Sequence, residues 1–306
     1  MPHPSPLRIA LIGLGDIAQK AYLPLVASHP GISPLLCTRD PAVLERLGRQ
    51  YRIADRFTEL DALIAHRPDA AMIHSSTDSH AAIATRLLEA GIPVFVDKPL
   101  TADLATTEQI LALAQRQNLP VFLGFNRRYA PLVSALREEA DPIQVTWHKN
   151  RAALPGEPRD FVFVDFIHVL DGLRFLAPGP VTDLHVHARR RGGLLESVQV
   201  RWTCGDCLLT GGMNRVNGVT EETVDYFTPG NKWTIRELHD GIRYRDGSQS
   251  PLGFGNWAPT LEKRGFAAMV DDWFATVRKG GYDAAYADDV RATHALCEEV
   301  VAAIGA

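Results

Sequence analysis

Cysteine is scarce, four in 306 residues. That excludes a disulfide-built scaffold and makes a reducing, cytoplasmic setting the default expectation. Positive charge is not in excess: 32 Lys and Arg stand against 36 Asp and Glu, a net charge of −4. A protein that holds nucleic acid by its phosphates needs a basic surface, so no nucleic-acid partner is expected. No apolar stretch reaches the roughly 18 residues of a membrane span, so no membrane partner is expected. Residues 1–8 hold three prolines but no basic segment leading into an apolar core, and they do not read as a secretory signal. Internal repeats and low-complexity tracts are absent. What is there is an ordinary globular composition, 46% apolar and 22% charged, on a chain long enough for about two domains.

Over residues 1–125 short apolar runs alternate with helical patterns. RIALIG (8–13), PLLCT (34–38), AAMIHS (70–75), IPVFVD (92–97) and PVFLGF (120–125) read as buried strands. They are apolar throughout rather than alternating, as in a parallel sheet covered on both faces. Between them, Ile17, Ala21 and Leu25 fall at helical spacing with Pro24 as a kink, Asp40-Pro41 opens a second helix, and Gly91 closes another. This alternation predicts an α/β Rossmann domain over 1–125, a doubly wound parallel sheet. Past 125 the pattern changes. Residues 181–188, 197–203, 223–227, 232–238 and 241–245 alternate apolar and polar, as half-buried antiparallel strands do. With helical patterns at 161–176, 266–277 and 293–304, residues 126–306 are expected to form an α+β domain, largely antiparallel, for substrate binding and oligomerisation.

The chemistry begins at Gly13-Leu14-Gly15-Asp16-Ile17-Ala18, which follows the first strand and opens the first helix. A glycine turn there lets backbone N–H groups approach a pyrophosphate, and the helix N-terminus favours its charge. Gly13, Gly15, Asp16, Ile17 and Ala18 are therefore expected to bind a dinucleotide; the plain alternative is a tight turn. An NAD site usually wants a carboxylate at the end of the second strand. Here Thr38 stands there, followed by Arg39. A small hydroxyl leaves room for a 2′-phosphate and a guanidinium fits one bidentately, so NADP is favoured over NAD. The alternative is a solvated Arg39, with Asp40 facing the ribose.

Four stretches together resemble the Gfo/Idh/MocA oxidoreductase family: GLGDIAQKAYLP (13–24), HSSTDSH (74–80), VDKPL (96–100) and GFNRRYAP (124–131). DFIHVLD (165–171) and TLEKRGF (260–266) are similar to its MviM-like branch. The resemblance implies a nucleotide-binding domain joined to an α+β substrate domain, commonly in homodimers or higher homo-oligomers. It implies that Asp97-Lys98-Pro99 stands for the family's Glu-Lys-Pro, with Lys98 reaching into the active site. It also implies that Ser75, Thr77 and His80 lie beside the nicotinamide ribose and pyrophosphate, and it brings Asp97 and Asn126 into the cofactor set. Read from the residues alone, Lys98 sits just past a parallel strand's carboxyl end, where a lysine can hold a substrate oxygen and stabilise an alkoxide. Pro99 fixes the turn, and the bond before it is a candidate cis bond. For 74–80 the bland reading is capping of the next helix by Thr77 or Asp78.

In the second domain Asp165, His168 and Asp171 lie three apart on one expected helix, putting a carboxylate on either side of the imidazole. Such neighbours favour imidazolium and suit His168 to proton transfer. The resemblance makes His168 catalytic, facing Lys98 across the domain cleft. Many family members carry an Asp four residues before this His; here Val164 holds that position, so Asp165 is a shifted candidate and the usual acid–base set is incomplete. The alternative for His168 is a buried histidine satisfied by Asp171. Arg127 and Tyr129, and Lys149 and Arg151 after the strand at 143–147, are candidates to bind an oxygen-rich substrate; the alternative is ordinary solvated charge. Cys204-Gly205-Asp206-Cys207 with His185 and His187 could supply zinc ligands, but Gly-Asp between two strands also makes a two-residue hairpin, and no metal is expected.

These features together predict an NADP-dependent (less readily NAD-dependent) oxidoreductase acting at a hydroxyl or carbonyl carbon of a small sugar- or polyol-like molecule. The alternative is a non-catalytic NADP-binding sensor on the same fold.

Overall fold

The computed structural model describes residues 5–305; residues 1–4, part of the stretch read as carrying no signal, lie outside the described residues. Two compact units form, Met1–Gly124 with Ala267–Arg291, and Phe125–Phe266 with Ala292–Ala306.

The first unit holds strands β1 (Leu7–Ile12), β2 (Ile32–Cys37), β3 (Arg56–Phe57), β4 (Ala70–Ile73), β5 (Val94–Val96) and β6 (Val121–Leu123). They pair in the order β3-β2-β1-β4-β5-β6, all parallel, which is the expected doubly wound Rossmann sheet. The winding reverses between β1 and β4, where such sheets bind nucleotides. β4 and β5 are buried at every residue, as their unbroken apolar runs require. Pro34 costs β2 no ladder bond to β3, because β3 reaches only Leu36 and Cys37. The two-residue β3 and the helix Leu60–Ala65 were not anticipated, since so short a strand carries no period. At the expected kink a wide π-helical turn, Ala18–Tyr22, precedes the helix Leu23–Ser28 that contains Pro24, and the Leu23 N–H reaches back to Ala18 O.

Ala267–Arg291 groups with this unit although it follows the 125 boundary in sequence. Aromatic packing explains it: Trp273 lies 6.1 Å from Phe95 and 5.8 Å from Phe122, ring to ring. The Tyr286 hydroxyl accepts from the Leu123 N–H at 2.9 Å.

The second unit holds β7 (Gln144–Asn150), β8 (Thr182–Arg191), β9 (Leu194–Cys204), β10 (Cys207–Asn214), β11 (Glu221–Thr228), β12 (Asn231–Arg236), β13 (Asp240–Arg245) and β14 (Ser248–Leu252). Their order is β14-β13-β12-β11-β7-β10-β9-β8. β7 and β10 run parallel and every other pair antiparallel, so the sheet is mixed and largely antiparallel as expected. β7 and β11 bury every second residue. A π-helical turn, Phe161–Phe166, runs into the helix Ile167–Leu176. This helix lies close on β7: a Cβ at Gly172 would come within 2.3 Å of the Trp147 ring, so only glycine allows the approach.

Cys204 and Cys207 are cross-strand partners flanking a turn in which Gly205 has φ +57°, the two-residue hairpin geometry. Among the described residues, no helix is long and apolar enough to cross a membrane.

Candidate functional site

The β1 end and its neighbours border a cavity of about 400 Å³ whose lining includes Gly13, Thr38, Arg39, Ser75, Ser79 and Arg86. Gly13 has φ +83°, and a Cβ there would meet the Ser75 backbone nitrogen at 2.5 Å. Glycine is thus required twice over, for the left-handed backbone and for the close approach of the β4 end. These groups fit a dinucleotide: backbone N–H donors at a glycine turn, hydroxyls from Ser75 and Ser79, and a cavity flanked by Thr38 and Arg39. Ser79 donates to the Ser75 hydroxyl at 2.7 Å.

The other loop residues are placed differently. Ala18 is buried, whereas Ile17 is exposed and Asp16 forms an exposed ion pair with Lys20 at 2.8 Å. Asp40 does not turn to the cavity. Its Oδ1 accepts from the Ala42 and Val43 N–H groups at 2.9 and 3.1 Å, capping the helix Pro41–Tyr51. Two further carboxylates, Glu59 and Asp61, line the cavity. Burial, with Glu59 adding to it, pushes the Cys37 thiol up to about 11, and Asp61 is ion-paired with Arg86. Ser76, not Thr77 or Asp78, holds the N-cap position after β4, without a side-chain cap hydrogen bond; Thr77 is the first residue of the helix Thr77–Glu89.

Lys98 stands two residues past β5 and is half-buried, and the Lys98–Pro99 bond is cis. The loop is pinned from two sides. The Asp97 carboxylate accepts from the Lys98 N–H at 2.9 Å and from the Tyr22 hydroxyl at 3.3 Å. Burial raises the Asp97 pKa, while the Lys98 charge and the Lys98 N–H act to lower it. Below it His80 is buried, with Nδ1 2.9 Å from Pro99 O and Nε2 3.0 Å from Ser75 O. His80 therefore ties the β4 and β5 ends together. His74 stacks on Tyr22 at 4.0 Å, and burial drives its pKa down to about 3, so it is a neutral ring in the core.

In the second unit the expected substrate residues are mostly buried, which rules out solvated charge for Arg127 and Lys149. Arg127 grips Glu222 with Nε to Oε1 at 3.2 Å and Nη2 to Oε2 at 3.0 Å. Its Nη1 donates to Asn126 Oδ1 at 3.0 Å and approaches His168 Nε2 at 3.1 Å. A guanidinium only donates, so His168 Nε2 accepts and the ring proton lies on Nδ1. The flanking carboxylates expected to favour imidazolium are engaged elsewhere. Asp171 takes Arg128 and the Thr293 hydroxyl. Asp165 takes Lys149, Arg151 and Arg215. Burial would raise the Asp165 pKa, but Lys149 and Arg151 hold it well below the carboxylate range. The Asn126 amide donates to Arg264 O at 2.8 Å. Tyr129 ends the short helical turn Asn126–Tyr129 and is half-buried.

Residues 7–125 match the oxidoreductase family with an NAD-binding Rossmann fold, Gfo/Idh/MocA. The chain is 33% identical over 281 residues to YceM of Salmonella typhimurium (strain LT2), covering 86% of this chain and 87% of that one. This chain belongs to the Gfo/Idh/MocA oxidoreductases. A crystal structure of a Gfo/Idh/MocA family oxidoreductase from Vibrio cholerae is 38% identical, with a TM-score of 0.92 over 98% of this chain and 100% of that one. The myo-inositol dehydrogenase Hyg17 of Streptomyces leeuwenhoekii is 33% identical over 132 residues, 43% of this chain and 40% of that one. A dehydrogenase (MviM) from Clostridium difficile, 24% identical with a TM-score of 0.91, shares the fold.

As a Gfo/Idh/MocA oxidoreductase the chain uses a nicotinamide coenzyme. The one-residue shift from Val164 to Asp165 falls in the π-helical turn Phe161–Phe166, a wider turn that rotates less per residue than an α-helix. Sequence reading missed Tyr22, Arg215 and Glu222. Glu222 carried a signal, since it stands on the inward phase of β11 with Val224 and Tyr226. Arg215 carried none, because it lies just past a strand end.

Proposed function

We propose that this oxidoreductase is an NAD(P)-dependent, cytoplasmic dehydrogenase or reductase acting at a hydroxyl or carbonyl carbon of a sugar- or polyol-like molecule, with NADP the favoured coenzyme. The reading rests chiefly on Lys98, which stands past the carboxyl end of β5 in the same parallel sheet that carries Gly13 at the end of β1. The likeness to relatives named as inositol dehydrogenases supports the substrate class. When bound, the nicotinamide supplies or accepts the hydride. The Lys98 ammonium donates to the reacting oxygen and stabilises the negative charge that grows there. His168 takes up or returns the hydroxyl proton after Arg127 releases its Nε2. Asp171, and Asp165 through its cations, act as positioning residues.

For NADP the support is Thr38 and Arg39 on the cavity and the commitment of Asp40 to its helix cap. Glu59 works against a 2′-phosphate, while Asp61 is neutralised by Arg86. Dissociation constants for NADPH and NADH test this directly, and tighter NADH binding defeats it. For the reaction, polyols with NADP⁺ and sugars or keto-sugars with NADPH form the screen. Lys98→Ala should then lower turnover by about a hundredfold to a thousandfold with coenzyme affinity retained. One observation favours a second reading, a non-catalytic NADP-binding sensor: Arg127 occupies His168 Nε2. Tight coenzyme binding without turnover across the screen selects that reading. Self-association into a homodimer or higher homo-oligomer is proposed as well, and light scattering that reports a monomer removes it.

A further inference from the structure

One cluster in the second unit gathers more cations than carboxylates. β7 and β10 lie side by side and parallel, so Lys149 near the end of β7, Arg151 just after it and Arg215 just after β10 emerge at neighbouring strand ends. All three converge on a single carboxylate. Lys149 Nζ contacts Asp165 Oδ1. Arg151 Nε lies 3.0 Å from Oδ2 and its Nη2 3.2 Å from Oδ1. Arg215 Nη2 lies 3.1 Å from Oδ2. Glu222 is taken by Arg127, and the Glu237 carboxylate accepts from the Glu222 N–H at 2.7 Å. Half-buried Arg264 joins the same group: burial, Arg127 and Arg151 all lower its pKa, while Glu222 and Glu237 raise it. Thus Arg127, Lys149, Arg151, Arg215 and Arg264, five cations, interact with four carboxylates, Asp160, Asp165, Glu222 and Glu237.

Fixing one carboxylate does not require three cations, and gathering like charges away from water is costly unless something neutralises them. Two further observations point to an absent acceptor. Arg215 Nε is buried with no hydrogen-bond partner among the described residues, and the side chain is locked over the Phe161 ring at 4.2 Å. Lys149 is buried with three N–H donors, of which Asp165 engages one. Burial above all, and then the Arg127 charge, push Lys149 down to about 7 even with Asp165 in contact.

We propose that the substrate of this enzyme carries an anionic group, a carboxylate or phosphate on the sugar or polyol, bound by Lys149, Arg151, Arg215 and Arg264. The proposal rests on the dehydrogenase reading and narrows its substrate class. Arg127 bonds His168 and belongs to the same charged group, so the anion seats one side chain away from the residue assigned to proton transfer.

The test is titration calorimetry on the coenzyme-loaded protein with matched probes: uronates and aldonates, sugar phosphates and inositol phosphates, each against its neutral parent. Charged members should bind about tenfold to a hundredfold tighter than their parents, the worth of one or two charge-assisted hydrogen bonds. Which series gains more identifies the group as carboxylate or phosphate. Arg264→Gln should remove most of that advantage, bringing the ratio of charged to neutral affinity back toward one. Equal or weaker binding of the charged members throughout, or no binding of any, overturns the proposal. Hydride transfer is followed in parallel through nicotinamide absorbance. Turnover confined to neutral polyols keeps the dehydrogenase reading and removes the anion. Selective binding of charged members without any turnover keeps the anion and removes the dehydrogenase.

Discussion

In the first unit Thr38, Arg39 and Ser75 border a cavity at the strand ends, and the sheet beneath them is apolar. In the second, Arg127, Lys149, Asp165 and Glu222 are themselves buried, paired with one another inside the packing. The same need, holding polar groups in fixed places, is met in two ways. One unit hangs them on backbone that folds for other reasons. The other makes them part of its core, where each charge depends on its partner because neither can return to water. Substitutions should therefore fail differently in the two places: lost binding in the first, lost folding in the second.

The largest effect expected is from Arg127→Met. It leaves Glu222 buried with its two guanidinium bonds gone, and breaking such a pair from one side costs about 3–5 kcal/mol. Urea unfolding at neutral pH measures it. Arg39→Ala, an exposed cavity-side change in the first unit, should stay within about 0.5 kcal/mol. Similar losses for the two variants would erase the contrast.

Acid should reach the second unit through the same groups. Burial alone would raise the Glu222 pKa, but Arg127, Lys149 and the Trp147 indole N–H hold it at about 2 against an ordinary 4.5. The folded value lies below the unfolded one. This stabilisation is therefore complete above pH 4.5 and is lost as pH falls toward 2, worth about 3 kcal/mol in all, with Asp165 adding in the same direction. Lys149 works on the other side. Its folded value is lowered from 10.5 to about 7, so the unfolded chain binds more protons between those values and stability rises with pH across that window. Urea midpoints measured against pH check both limbs, and Glu222→Gln should flatten the acid one.

The same contrast governs what could be read in advance. β1, β4 and β5 announce themselves because strands buried on both faces are apolar at every position, and Gly13 stands out because only glycine fits where it sits. Lys98 was legible for the same reason, as the residue after a recognisable strand. The alternation in β9 and β11 located the second sheet, but not the fact that Lys149 on β7 and Glu222 on β11 occupy its inward positions. A buried ion pair joins residues far apart in sequence, here Arg127 with Glu222, and neither partner carries a local sign of the other. His168 is the sharpest case. Its sequence neighbours are carboxylates, whereas its ring nitrogen meets Arg127 from another element. The grouping of Ala267–Arg291 with the first unit was hidden similarly, since it depends on Trp273 and Tyr286 finding Phe95 and Phe122.

Within the first unit, Gly13→Ala should strike binding first. The added Cβ must coexist with φ +83° and with the Ser75 nitrogen 2.5 Å away, so the β1 and β4 ends separate where the coenzyme is held. Coenzyme affinity should fall about a hundredfold, close to 3 kcal/mol, while thermal unfolding stays cooperative. Unchanged affinity would mean that the coenzyme lies elsewhere.

The smallest effect is the most diagnostic for the coenzyme. Asp40 is the first acidic residue after β2, three residues past its end, and a carboxylate near that strand end is what an NAD site would use. Its Oδ1 instead takes two N–H groups of the helix Pro41–Tyr51. Asp40→Ala should therefore cost about 1 kcal/mol of stability, the worth of a cap, and leave the ratio of NADPH to NADH affinity where it was. Asp40→Asn, which keeps a capping oxygen, should recover most of the loss. If Asp40→Ala instead weakens NADH selectively, the carboxylate reaches the ribose when coenzyme is present, and the preference for a 2′-phosphate loses its main structural support.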